Sequence, residues 1–183
     1  MVPHRNYYNK IIFFLEKKYN VRKEEFKMSE PKGRFTPSTP DFEYRVRSSF
    51  SQQSVMNLIG AKIVKVVPGE VDIQIPFRKD LTQQHGFLHA GIITTIVDSA
   101  CGYAALSLMP ADASVLTVEF KVNFLSPAKG EWFIAKGKVV KPGRTITVCS
   151  GEVFTLGAEE PKLIATMTAT MLMLQGRPGI MPG

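Results

Sequence analysis

The sequence predicts an α+β domain in which a curved antiparallel sheet of about six strands wraps around one central helix. Three observations lead there. Residues 91–108 form the one long candidate helix, and it is apolar on nearly every face, so it must be buried. Six stretches of strand character surround it, a hairpin before and four strands after. The turns between them are short, which imposes antiparallel pairing.

The elements follow in chain order. Residues 1–40 combine a basic, aromatic piece with the Pro/Ser/Thr-rich stretch PKGRFTPSTPDF, which reads as a linker. They are expected to form an extension outside the domain, with the domain over 41–175 and a tail over 176–183; the piece before Met28 reads either as an amphipathic helix that docks on something or, preferred, as a dispensable extension upstream of a start at Met28. Glu16, Glu24 and Glu25 argue against an organelle presequence. From Phe42 to Leu58, the apolar residues Phe42, Val46, Phe50 and Leu58 recur at near-helical spacing, and Gly60 stands where a helix would stop. AKIVKVV and EVDIQIP flank Pro68-Gly69 as a hairpin, with Val71, Ile73 and Ile75 alternating with Asp72 and Gln74. After the central helix, Leu116, Val118, Phe120, Val122 and Phe124 alternate with polar residues as one face of a strand. EWFIAKGKVV and TITVCSGEVF meet at Lys141-Pro142-Gly143-Arg144, and LIATMTATMLML closes the sheet. An open sheet has edges to cover, so oligomerisation is expected.

Composition narrows the function. Cys101 and Cys149 fit neither a metal knuckle nor a redox pair and read as buried thiols of a reducing compartment. No apolar run is long enough to span a bilayer, and no export signal stands at the N-terminus, so a soluble cytoplasmic protein is expected. The net charge of +7 invites a nucleic-acid reading. Residues 1–27 hold seven Lys/Arg against three Asp/Glu, so +4 of it lies there and +3 on the rest; a mildly basic body would suit an acidic ligand, but net charge alone argues steering and solubility rather than function.

Two features of QQHGFLHAGIITTIVDSACGYAA could carry chemistry. Asp98 sits deep in the apolar helix, where an ionised carboxylate is costly, so it is either a functional group of raised pKa or half of a structural ion pair. His89 precedes the helix between Gly86 and Gly91, either as a cap or core histidine or as part of a ligand site. The first helical N–H groups, above all that of Ala90, can hold negative charge developing on a carbonyl oxygen. His85 and His89 are four apart, but Gly86 between them and the lack of a third ligand argue against a metal. Cys101 has no basic neighbour to activate it. In the KPGR turn, Lys141, Gly143 and Arg144 either suit a phosphate or are solvated turn residues, and Asn123 suits a polar contact to a ligand.

The same segment, with LTVEFKVNFLSPAKG and GRTITVCSGEVF after it, resembles the phenylacetate-degradation type of hot-dog acyl-CoA thioesterases from about Phe50 to Met173. Gly86, His89, Gly91 and Asp98 keep that family's mutual spacing. The resemblance implies a hot-dog fold, a homodimer with the site across its interface, and a dimer of such dimers. No cofactor is implied, because the CoA thioester is itself the substrate. It places the Ala90 N–H on the thioester carbonyl, with HAG here where many relatives have HGG. It makes His89 the support of that loop and of the carbonyl and Gly91 a substrate-binding position, and it puts Gln83 where many relatives carry an Asn that helps hold the water or the carbonyl. Asp98 of the facing subunit becomes general base or nucleophile, and Thr117 takes the place of a Ser or Thr that orients water. The acyl group is expected against Phe87, Leu88 and Tyr103. Two other readings stand beside hydrolysis. One is a catalytically idle acyl-CoA-binding module. The other is a 3-hydroxyacyl thioester dehydratase, whose proline-rich histidine loop is absent here.

Overall fold

The computed structural model describes residues 34–157 and 160–176, all within the second of two units, Gly33–Gly183. The expectations for residues 1–33 and for the tail from 177 lie outside the described residues. Two short helices, α1 (Phe42–Ser51) and α2 (Ser54–Ile59), lead into the hairpin of β1 (Lys62–Val67) and β2 (Glu70–Pro76). A 3₁₀ turn at Lys79–Leu81 precedes α3 (Ala90–Leu106). Then follow β3 (Ala113–Phe124), β4 (Trp132–Lys141), β5 (Ile146–Leu156) and β6 (Lys162–Gln175). The six strands form one antiparallel sheet in the order β1-β2-β4-β5-β6-β3, with α3 packed on one face.

Paired glycines decide where α3 lies. Gly137 on β4 and Gly151 on β5 are directly opposite each other. A methyl group on Gly137 would stand 2.3 Å from the Ala100 backbone, and one on Gly151 would stand 2.4 Å from a Val97 methyl. The missing side chains let the helix sink onto the sheet, where Ile93, Ile96, Val97, Ala100, Cys101 and Ala104 are fully buried with Ile73, Ile75 and Phe133. The helix end is tied down as well. Ser107 Oγ accepts from the Gly69 N–H at 2.8 Å and donates to Ala104 O, joining the β1–β2 turn to α3. Arg45 of α1 donates to the carbonyls of Met109, Pro110 and Ala113 just past that end.

Two expectations are corrected. The lead-in helix is two helices, broken at Gln52-Gln53, where Gln53 turns to extended backbone. Nearby side chains compete for the local carbonyls, since Ser51 Oγ donates to Ser48 O and Asn57 Nδ2 to Ser51 O. The break turns Met56 and Ile59 into the core and leaves Leu58 exposed at 70%. The second correction concerns β3. Thr117 faces Met171 and Glu119 faces Thr170, so the extra residue between them makes a bulge. Before it, Ala113, Val115 and Thr117 point to the helix side; after it, Phe120, Val122 and Phe124 do, opposite the buried Ala169, Met167 and Ala165. The apparent single apolar face is two half-faces.

The sheet's edges differ. β1 is short and carries Lys62 and Lys65. β3 is twice as long and pairs only with β6, with Leu116, Val118, Phe120 and Phe124 exposed at 45–58%.

Candidate active site

The loop before α3 is built by its own backbone. Gly86, at φ +80, makes the turn whose N–H reaches Gln83 O at 3.0 Å, while Gln83 N–H reaches Phe87 O at 2.9 Å. The Gln83 side-chain oxygen accepts from the His85 N–H, which fixes the amide and leaves its NH₂ group as the remaining donor. His89 N–H donates to Leu81 O, and Leu88 N–H to Ala128 O beyond the end of β3. These ties hold the start of α3 against the sheet.

His89 is the N-cap of α3. Its Nδ1 accepts from the Gly91 N–H at 2.9 Å, so the ring proton is assigned to Nε2. The ring is solvent-exposed, which excludes the core-histidine reading and bears out the capping one. Gly91 leaves the ring its place, since a methyl group there would stand 3.1 Å from His89 Nδ1 and push the ring by a few tenths of an ångström. With the Gly91 N–H taken by His89, and the N–H groups of Ile92 and Ile93 directed at His89 O, the Ala90 N–H has no partner among the described residues. It is an exposed donor at the positive end of a 17-residue helix.

Asp98 lies eight residues further along, half-buried. Thr117 Oγ1 of β3 donates to Asp98 Oδ1 at 2.8 Å and also lies 3.5 Å from Met171 Sδ. Burial pushes the Asp98 carboxyl above the usual carboxylate range, and the Thr117 hydroxyl pulls part of the way back. No cation pairs with Asp98 among the described residues, so the ion-pair alternative is not what the structure contains. The bulge after Thr117 puts its hydroxyl on the helix side, which a strict alternation of β3 would not do. Both thiols are inert in this environment. Burial raises Cys101 well above its ordinary value and pushes Cys149 up to about 12.

The expected site residues fall into three groups. Gln83, His89, Ala90 and Gly91 meet at the start of α3. Asp98 and Thr117 meet at mid-helix. Lys141, Gly143 and Arg144 form the exposed β4–β5 turn, beside Thr145, whose carbonyl accepts from Met173 N–H. Asn123 is far from that turn: it faces Thr166 and Glu152, whereas Ile146 lies in line with Leu172 and Leu116, seven residues or about 23 Å along β3. Leu88 and Tyr103 are buried in the core, Tyr103 edge-on to Phe50, so of the expected acyl contacts only Phe87 keeps accessible surface. Sequence reasoning passed over Met171, whose sulfur lies beside the Thr117 hydroxyl.

Comparison with known proteins agrees with this architecture. A model of the thioesterase superfamily matches residues 85–162. A crystal structure of a thioesterase family protein from Silicibacter pomeroyi is 55% identical, with a TM-score of 0.73 over 74% of this chain and 99% of that one. Human acyl-coenzyme A thioesterase 13 is 30% identical over 89 residues, which span 48% of this chain and 63% of the human protein. The E. coli PaaI protein of the phenylacetic acid degradation operon is 16% identical with a TM-score of 0.68 over 74% of this chain and 95% of that one, a likeness of fold alone.

Proposed function

Because this chain belongs to the thioesterase superfamily, has its hot-dog fold and is a thioester hydrolase, we propose that its substrates are acyl-CoA thioesters, cleaved to a carboxylic acid and free CoA at a site completed by a second copy. The observation that carries the reading is the combination, among the described residues, of a helix-start N–H at Ala90 without a partner and a half-buried carboxylate at Asp98 that no cation neutralises. One is suited to a carbonyl oxygen, the other to a water proton.

The chemistry follows from those groups. The Ala90 N–H, aided by the helix dipole and the Gln83 amide, polarises the thioester carbonyl and holds the oxyanion that forms on it. The His89 cap keeps the Gly91 N–H occupied and the loop in place. Asp98, with one oxygen held by Thr117, takes the proton of the attacking water through the other; as a nucleophile it would instead form a transient anhydride. Collapse of the tetrahedral species expels CoA thiolate, which leaves readily, so no metal is called for.

A second copy is part of the proposal for a geometric reason. Ala90 and Asp98 of one chain are eight residues, about 12 Å, apart along a straight helix, too far to touch one carbonyl carbon. Two antiparallel copies of α3 bring the start of one opposite the middle of the other, and the long apolar edge of β3 is the natural seam. The same pairing draws Asn123 of one chain and the Lys141–Arg144 turn of the other toward one CoA arm. A dimer of such dimers fits the remaining open sheet face.

The test follows free thiol release from a panel of acyl-CoAs. Asp98→Asn is expected to lose about 10²- to 10⁴-fold in turnover, the span of a positioned proton acceptor, while still binding substrate. Equal turnover by both proteins removes Asp98 from the mechanism. Tight acyl-CoA binding with no hydrolysis by the wild type makes the protein a binding module instead.

A further inference from the structure

Gly102 is a glycine in the body of α3 for which the fold supplies no reason. Glycine weakens a helix relative to alanine, since the unfolded chain gains backbone freedom. Gly137 and Gly151 are explained by the closeness of α3. Gly102 is not, because a methyl group built on it meets no atom within 4 Å.

Its surroundings say what the space is for. Gly102 stands four residues beyond Asp98, one turn or about 6 Å along the axis, on the same outward face of α3. Four residues further, Leu106 is buried, so the open face stops there. On one flank α1 and the Gln52-Gln53 break close against the helix, with Ser49 Oγ 3.4 Å from the Tyr103 hydroxyl and Ser99 Oγ donating to the Gln53 side chain. On the other flank β3 closes against it through Thr117 and Asp98. From Ser99 to Met109 the chain carries no charged side chain. The outward face of α3 from Asp98 over Gly102 to Leu106 is thus flanked on both sides and, beyond Asp98 itself, carries no charged side chain.

We propose that this face of α3 forms a recess that receives the acyl group of the thioester, and that the absent side chain of Gly102 sets how bulky an acyl group is admitted. The inference rests on the reading of Asp98 as the group beside the scissile carbonyl. A hydrocarbon or aryl group fits a helix face without charge from Ser99 onward; a second carboxylate at the far end of the acyl group does not. An acetyl group is too short to reach Gly102, so the residue discriminates only among longer or aromatic acyl groups.

The experiment compares wild type, Gly102→Ala and Gly102→Leu on acetyl-, hexanoyl-, dodecanoyl- and phenylacetyl-CoA by thiol release, with thermal midpoint and molecular mass in solution measured alongside. Both variants keep a good helix former, and Gly102→Ala is expected to raise the midpoint. For Gly102→Leu, the ratio of kcat/KM on the dodecanoyl and phenylacetyl substrates to that on acetyl-CoA is expected to fall tenfold or more, with the mass unchanged. An unchanged ratio overturns the recess while leaving hydrolysis intact. A changed mass with all substrates lost alike overturns it too, and makes Gly102 a contact between copies. A wild type that hydrolyses none of the four overturns this inference together with the function it rests on.

Discussion

Asp98 is held in a place that disfavours its charge, and two measurable consequences follow. Its raised pKa means that the base form is complete only above the usual carboxylate range, so the acid limb of kcat/KM should lie above that range. Thr117→Ala removes the hydrogen bond that steadies the anion, so the limb should move to still higher pH, and Thr117→Ser should bring it back. The effect on stability has the opposite appearance. Between the ordinary aspartate value near 3.9 and the raised folded value, the folded state binds more protons than the unfolded one, so stability falls as pH rises through that window. Asp98→Asn abolishes that fall. The variant should melt at a higher temperature than wild type at neutral pH and no higher near pH 3, even as its turnover collapses.

At the scale of elements, the start of α3 allows one backbone donor to be removed with the helix kept. Ala90 is the first residue of the helix and follows an extended His89, at φ −62 and ψ 138. Proline is well tolerated at that position and wants an extended residue before it. Ala90→Pro should therefore fold normally and lose about 10²- to 10³-fold in kcat, the usual effect of deleting one oxyanion donor; undiminished turnover would show that the carbonyl is held elsewhere. The seating of α3 on the sheet is tested separately. Gly137→Ala inserts a methyl group against helix backbone that cannot swing aside, and should cost about 1–3 kcal/mol or more in denaturant unfolding. The bulge of β3 is an element of the same kind, since it aims Thr117 at Asp98 and splits one apolar stripe into two.

At the scale of the whole molecule, the 12 Å between Ala90 and Asp98 within one helix predicts complementation. Ala90→Pro and Asp98→Asn should each be nearly inactive, yet mixing them under conditions that exchange subunits should restore activity. Half of randomly formed dimers are mixed, and each mixed dimer has one intact site, so roughly a quarter of wild-type sites should return. No recovery after verified exchange would place both groups of a working site on one chain. Breaking the β3 seam with Val118→Asp should lower mass and activity together.

Much of this was legible in the sequence because its causes are local. Apolar periodicity marked α3, β1, β2, β4, β5 and β6, and an acidic residue among Ile96, Val97, Ala100 and Cys101 marked the site. What the sequence hid depends on partners distant along the chain. The break at Gln52-Gln53 arises from competition among neighbouring polar groups and the pull of the core on Met56 and Ile59. The bulge after Thr117 exists only as a mismatch with β6. His89 as the cap that leaves Ala90 bare required the ring's position. By itself the sequence determined the helix, most strands and the anomalous Asp98, because burial and periodicity are properties of the chain. Only the tertiary structure decided that Thr117 meets Asp98, and that Ala90 and Asp98 of one helix lie too far apart to share a substrate. Those are distances between residues, and a distance is fixed only once the sheet has closed around the helix.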